Sequence, residues 1–263
     1  MSTQTTTVRH LDNAVTTFSK SFVTRGVMPV GMRMTAVRLQ NGDLFVVSPT
    51  PLGDTTDANG TTTLAELEKL GKVKYVVCPN IVHHLHAAEY KQKWPDAVLI
   101  GVPGLQEKRD DVKFDVIVEG VKPIDAANPA PAVPPKRIGF EDEISYRHFS
   151  GQRNQDTLYL HRPSKTLLTA DLMINFPLPK EQGGPSGTAG DIFNGAMQLF
   201  LKPDAGAHKL FNRYLMNADT EQMKSDVKHV LDNWKFDRII PCHGTIVETD
   251  AEKAFKEAFS WFL

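Results

Sequence analysis

The residues of this chain best suited to metal chemistry fall in three short segments. "PNIVHHLH" places His83, His84 and His86 within four positions, directly after an apolar run. "KTLLTADL" carries an apolar run to Asp171, and "RIIPCHGT" carries one to His243. Imidazole and carboxylate ligands together suit Zn²⁺, or Fe²⁺ when two histidines and one carboxylate leave open positions. A single histidine in such a place is usually a capping or solvent-facing residue. The three segments point to one metal site only if the fold gathers them.

The flanking elements show how it could. "VKYVVCP", "KTLLTADLMI" and "DRIIPCHG" each read as a buried strand that stops on or just before the polar residue. In open α/β sheets such carboxyl ends are where sites collect. "AVLIGV", "EISYRHFS" and "TLYLHRP" are further strands, and "MRMTAVRLQNGDLFVVSPT" is a hairpin turning at Asn41-Gly42, two residues that accept positive φ. Helices are expected over Thr61–Lys72, capped by a threonine and stopped at Gly71, over His84–Trp94, over Asp219–Trp234 with Asp219 or Thr220 as cap, and at the carboxyl-terminal end of the sequence. Strands alternating with helices predict an α/β layer protein.

The proline- and alanine-rich stretch Val121–Arg137 reads as a surface connection inside one domain, 1–263. Within the segment 175–218, residues Asn175 to Gly206 have many glycines and prolines and no steady period. The segment is expected to be a lid-like or dimer-forming excursion whose Phe176, Phe193, Phe200, Phe211 and Tyr214 suit an organic ligand or a second copy of the chain. Asp191 within it is expected to cap a helix. His10, His161, His208 and His229 read as surface residues, and Cys78 and Cys242 as small buried residues.

Composition narrows the partners. Thirty basic residues against 31 acidic ones leave no basic stripe for nucleic acid or anionic lipid. No apolar run approaches the roughly 18 residues of a membrane span, and the polar start "MSTQTTTVRHLDNAV" is unlike a secretory signal. Two cysteines make a disulfide framework an unsuitable reading. A cytoplasmic location follows as the expectation.

From about Arg33 to Phe259 the chain resembles the metallo-β-lactamase superfamily, through Ala170-Asp171 in place of that family's Gly-Asp and Pro241-Cys242-His243-Gly244 in place of its Pro-Gly-His-Gly. The resemblance implies a four-layer αβ/βα sandwich with metal at one edge. The family's first signature, T-H-x-H-x-D-H, is followed by a helix of roughly three turns and a proline. Counting back from Pro95 sets its last histidine at His84, so that His83-His84 matches the Asp-His end and Pro79 and Ile81 stand where the first two histidines would be. Reading His84 and His86 as the H-x-H pair is the other register. The later Pro-Gly-His histidine falls on Gln152, with His148 as the nearest substitute, and Ser48-Pro49 stands where the family has an aspartate.

The resemblance therefore implies one retained metal site, His83, His84, Asp171 and His243, for a single divalent ion, zinc ahead of iron. His86 is the candidate for moving a proton. "RMTAVRLQNGDLFVVSPT", "PNIVHHL", "PSKTLLTADL" and "DRIIPCHG" together resemble a branch known as a domain of unknown function. Three functions fit: a metal-dependent hydrolase acting on a small organic molecule, a mononuclear non-haem iron oxygenase, or a non-catalytic binding protein on a degenerate scaffold.

Overall fold

The structure, a computed structural model, describes residues 5–24, 28–119, 137–184, 202–204 and 206–263. Most of the proline-rich stretch, the middle of the 175–218 segment, and Asp191, Phe193 and Phe200 lie outside the described residues.

The chain opens with β1 (Thr7–His10), β2 (Val15–Lys20), and a small separate pair, β3 (Val23–Thr24) with β4 (Met28–Pro29). The hairpin around Asn41-Gly42 follows as β5 (Met32–Arg38) and β6 (Asp43–Val47), with Gly42 at φ 88° in its turn. The helix α1 (Thr63–Leu70) is capped by Thr62, whose hydroxyl accepts from Ala65 N, and stops at Gly71. Then come β7 (Lys72–Val77), α2 (Ala87–Lys93), β8 (Val98–Gly101) and β9 (Val116–Ile117). These strands form one sheet, ordered β1-β2-β5-β6-β7-β8-β9, antiparallel up to β6 and parallel from β6 to β9. The parallel pairs require crossovers, and α1 and α2 supply two of them.

The second sheet is β10 (Ile144–His148), β11 (Thr157–His161), β12 (Thr166–Thr169) and β13 (Arg238–Pro241), in that order, with β12 and β13 parallel. A short helix α3 (Gly206–Leu210) runs on into a π-helical turn, Phe211–Met216. The helix α4 (Thr220–Asn233) starts from Asp219, whose carboxylate accepts from Gln222 N at 3.0 Å, and α5 (Ala251–Ala258) follows β13.

Side-chain alternation makes the second sheet two-faced. Tyr159, Leu168 and Ile240 join the core shared with the first sheet, where Phe45 stacks 5.3 Å from Tyr159. Their neighbours Leu158, Leu160, Leu167 and Ile239 pack instead with Val227, Val230 and Phe255 of α4 and α5. The result is the αβ/βα sandwich. Three expectations differ from it. The helix after β7 starts at Ala87, three residues later than expected. β1 and β2, an unanticipated edge pair, precede the hairpin. His161 and His208 are buried rather than at the surface, because both faces of β11 are covered and α3 turns His208 inward.

Candidate metal centre

The carboxyl ends of β7, β12 and β13 meet at one edge, and each delivers one polar side chain there. After β7 the chain turns sharply at Asn80, whose Oδ1 accepts from the backbone N–H groups of Val82 and His83 at 2.9 Å each. This asparagine turn ends the strand and aims His83 inward. Past β12 stands Asp171, and past β13 stands His243 on a tight turn. Gly244 makes that turn possible: it sits at φ 95°, and a Cβ there would lie 2.0 Å from the carbonyl oxygen of Asn175.

The three ligand atoms form a near-equilateral triangle. His83 Nε2 lies 3.2 Å from Asp171 Oδ1, His243 Nε2 lies 3.4 Å from the same oxygen, and the two Nε2 atoms are 3.2 Å apart. The tautomer of His243 is set by its other nitrogen. Nδ1 is 2.9 Å from the carbonyl of Gly31 and 3.1 Å from that of Val30, and carbonyls only accept, so Nδ1 carries the proton and Nε2 offers a lone pair. A tetrahedral ion with ligands about 2.0–2.1 Å away sets them about 3.3–3.4 Å apart. The triangle fits that spacing, and its donor set of two imidazoles and one carboxylate fits a divalent ion.

The surrounding groups set the charge. Burial alone would push the Asp171 carboxyl up, but the imidazoles of His83 and His243 beside it hold it well below the usual carboxylate range. Asp171 Oδ2 faces away from the triangle and accepts from Asn80 Nδ2 at 3.0 Å and Asn154 Nδ2 at 2.9 Å. Behind it, burial and then the Asp171 charge push Asp156 up to about 8.

His84 does not join this group. The expectation set it among the ligands, but its Nδ1 lies 3.0 Å from Arg109 Nη1, and its carbonyl also accepts from that guanidinium. Only His83, Asp171 and His243 form a cluster able to hold an ion among the described residues. The reason lies in the later start of α2. A turn closed by Ala87 N on the His84 carbonyl precedes the helix, and adjacent side chains diverge, so His84 points away while His83 enters the triangle.

His86 lies on the wall of the same cavity, its Nδ1 3.2 Å from Glu89 Oε2. Gln152 is buried and accepts from Asp156 N. His148 is buried between Thr157 and Gln155, and burial pulls it down to about 4. Neither faces the triangle. Ser48, at φ 56°, receives the Cys242 thiol at 3.0 Å. Burial pushes both cysteine thiols up to about 12, and neither belongs to the ligand cluster.

Four positioning residues escape a reading by residue type. Asn80 and Asn154 hold the carboxylate. Arg33, buried on β5, donates from Nη1 to the carbonyls of Pro241 and Gly244 at 2.7 Å each, gripping the His243 turn from the opposite sheet. Gln182 closes the same turn, donating to the Cys242 carbonyl and accepting from Gly244 N. A Pro-Asn pair shortly after a strand is a turn signal and could have marked Asn80. Nothing local marks Arg33.

The family model described as "Domain of unknown function (DUF4336)" matches residues 13–182. The chain belongs to the DUF4336 family. The matched region of this family member contains His83 and Asp171, while His243 lies beyond it. No curated protein matches the chain. Among solved structures, the DUF4336 chain is similar to the DIM-1 metallo-β-lactamase, at 12% identity and TM-score 0.59, covering 98% of this chain and 96% of that one. It is similar to the metallo-β-lactamase FIM-1 from Pseudomonas aeruginosa in its mono-zinc form, at 12% identity and TM-score 0.55, covering 98% of this chain and 95% of that one. It is also similar to the Flv1 flavodiiron core from Synechocystis, at 12% identity and TM-score 0.63, covering 98% of this chain and 61% of that one. At such identities the likeness shows the metallo-β-lactamase fold. No helix among the described residues is long and apolar enough to cross a membrane.

Proposed function

We propose that the protein is a metal-dependent hydrolase of the cytoplasm, acting on a small organic molecule with one divalent ion held by His83, Asp171 and His243. The observation that carries this reading is the triangle of ligand atoms, 3.2, 3.2 and 3.4 Å on its edges, opening on a cavity of about 810 Å³. Its spacing favours a tetrahedral set and so zinc ahead of iron. When bound, such an ion polarises a carbonyl or phosphoryl oxygen and makes water more acidic.

The chain supplies the rest. The Val30 and Gly31 carbonyls keep the His243 lone pair aimed at the site. Asn80 and Asn154 keep Asp171 turned so that only Oδ1 faces it. Glu89 accepts from His86 Nδ1–H, which leaves His86 Nε2 free to take the proton of attacking water and return it to the leaving group. Of the 175–218 segment, the described residues Phe176, Phe211 and Tyr214 contribute cavity wall, which supports a role in covering the site.

Two histidines and one carboxylate also suit Fe²⁺ and oxygen chemistry, the second reading. Purification without chelator, elemental analysis, and assays with and without oxygen separate the two. One zinc per chain and hydrolysis indifferent to oxygen are expected. Stoichiometric iron with oxygen consumption contradicts the hydrolase reading.

A further inference from the structure

The polar and apolar residues around the cavity are segregated. His83, Asp171 and His243 meet at one point of the lining, with Ser48 held to Cys242 beside His243. The remaining wall is built by Phe22, Met32, Ile174 and Phe176 from the loops and strands, and by Leu210, Phe211, Tyr214 and Leu215 from α3 and its π-helical turn. Its rim is unusually apolar for a surface: Leu85 is 58% exposed, Leu210 48% and Tyr214 65%. A contiguous exposed apolar rim around a cleft marks a ligand groove more often than chance.

Charge points the same way. Arg33 is the only lysine or arginine among the described lining residues. Its guanidinium is spent on Ser19, the Pro241 and Gly244 carbonyls and Glu181. Away from the metal corner, no lysine or arginine among the described lining residues is left to receive a phosphate, a sulfate or a second carboxylate. Burying an unpaired anion against this wall would be costly, whereas burying hydrocarbon is favourable at about 25 cal/mol per Å².

We propose that the substrate is a neutral, lipophilic acyl ester, its carbonyl at the polar end and a hydrocarbon chain of medium length along the Phe176–Leu210–Tyr214 wall. The chemistry rests on the hydrolase reading; the lipophilic site does not. In the reaction, water oxygen bonds to the acyl carbon and the acyl carbon–alkoxy oxygen bond breaks. One water proton passes to the leaving alkoxide, giving an alcohol and a fatty acid, which loses a proton to solvent. No oxidant or reductant is involved.

Two readouts on the full-length, metal-replete protein test this. The first is kcat/KM for p-nitrophenyl acetate, butyrate and octanoate, with p-nitrophenyl phosphate beside them. The second is fluorescence of N-phenylnaphthylamine, a neutral apolar probe, and its displacement by a medium-chain methyl ketone, which cannot be hydrolysed. We expect octanoate to exceed acetate at least about tenfold, phosphate to be poor, and the probe to bind and be displaced. Leu85→Asp and Leu210→Asp, at exposed positions that the fold tolerates, should each weaken probe binding about tenfold. Probe binding and displacement without turnover of any ester would overturn the ester assignment and leave only the lipophilic site. Turnover of acetate or phosphate with no probe binding would overturn this inference and leave the hydrolase reading standing. Probe binding unmoved by both aspartate variants, or a stable dimer that buries the rim and binds no probe, would overturn it as well.

Discussion

Asp171 divides the sheet edge into two unlike corners. On the side of Oδ1, the Nε2 atoms of two imidazoles and a carboxylate oxygen converge, 3.2–3.4 Å apart. On the side of Oδ2, two asparagine amides donate into the carboxylate, and the next carboxyl, Asp156, accepts from Leu172 N. The first corner is an arrangement of metal-ligating atoms. In the second, hydrogen bonds already do what a second ion would do. Gln152 and His148 reinforce this: both are buried and tied to their own neighbours. The contrast supports the proposed one-ion site, with the other half of the edge occupied by polar groups tied to one another.

The largest expected effect comes from opening the ligand corner. Asp171→Ala or His243→Ala should each weaken zinc affinity by more than about a hundredfold, because a ligand is lost and not only its orientation. Competition with a chromogenic chelator measures this. Next is the clamp that serves that corner from the other sheet. Arg33→Met leaves the Pro241 and Gly244 carbonyls and Glu181 without their buried donor, and should cost about 3 kcal/mol of stability by urea denaturation.

The closed corner should fail in acid. His148 is held neutral at about 4 when folded, against about 6.5 unfolded, so the unfolded chain takes the proton first. Its contribution is intact above pH 6.5 and is lost as pH falls from there towards 4, by up to about 3 kcal/mol. A flatter stability profile over that window is expected for His148→Gln, read from denaturation midpoints at several pH values. Smaller still, Asn154→Ala removes one donor to Asp171 Oδ2 and should weaken zinc affinity about tenfold. If Asn154→Ala instead strengthened binding or admitted a second ion, the two corners would differ by accident of packing.

Much of this frame is visible in the residues. The Asn41-Gly42 hairpin, the Thr62 and Asp219 caps, and strands that stop beside His83, Asp171 and His243 all follow from local signals: turn chemistry, capping, and apolar runs that end on a polar side chain. These are short-range effects, so sequence carries them directly. His84 is different. Its place depends on where α2 begins, and the turn over residues 84–86 moves that start by three positions. Arg33 and Asn154 are further out of reach, because their partners lie on the opposite sheet or across Asp171. His161 and His208 read as surface histidines because nothing local reports that a helix or a sheet face covers them.

The most direct test of the one-ion claim is calorimetric titration of Zn²⁺ into metal-free protein, for the native chain and for His83→Ala and His84→Ala. We expect one equivalent for the native chain, none of comparable affinity for His83→Ala, and one for His84→Ala with affinity within about twofold of native. Two equivalents for the native chain, or a loss in His84→Ala that matches the loss in His83→Ala, would contradict the assignment.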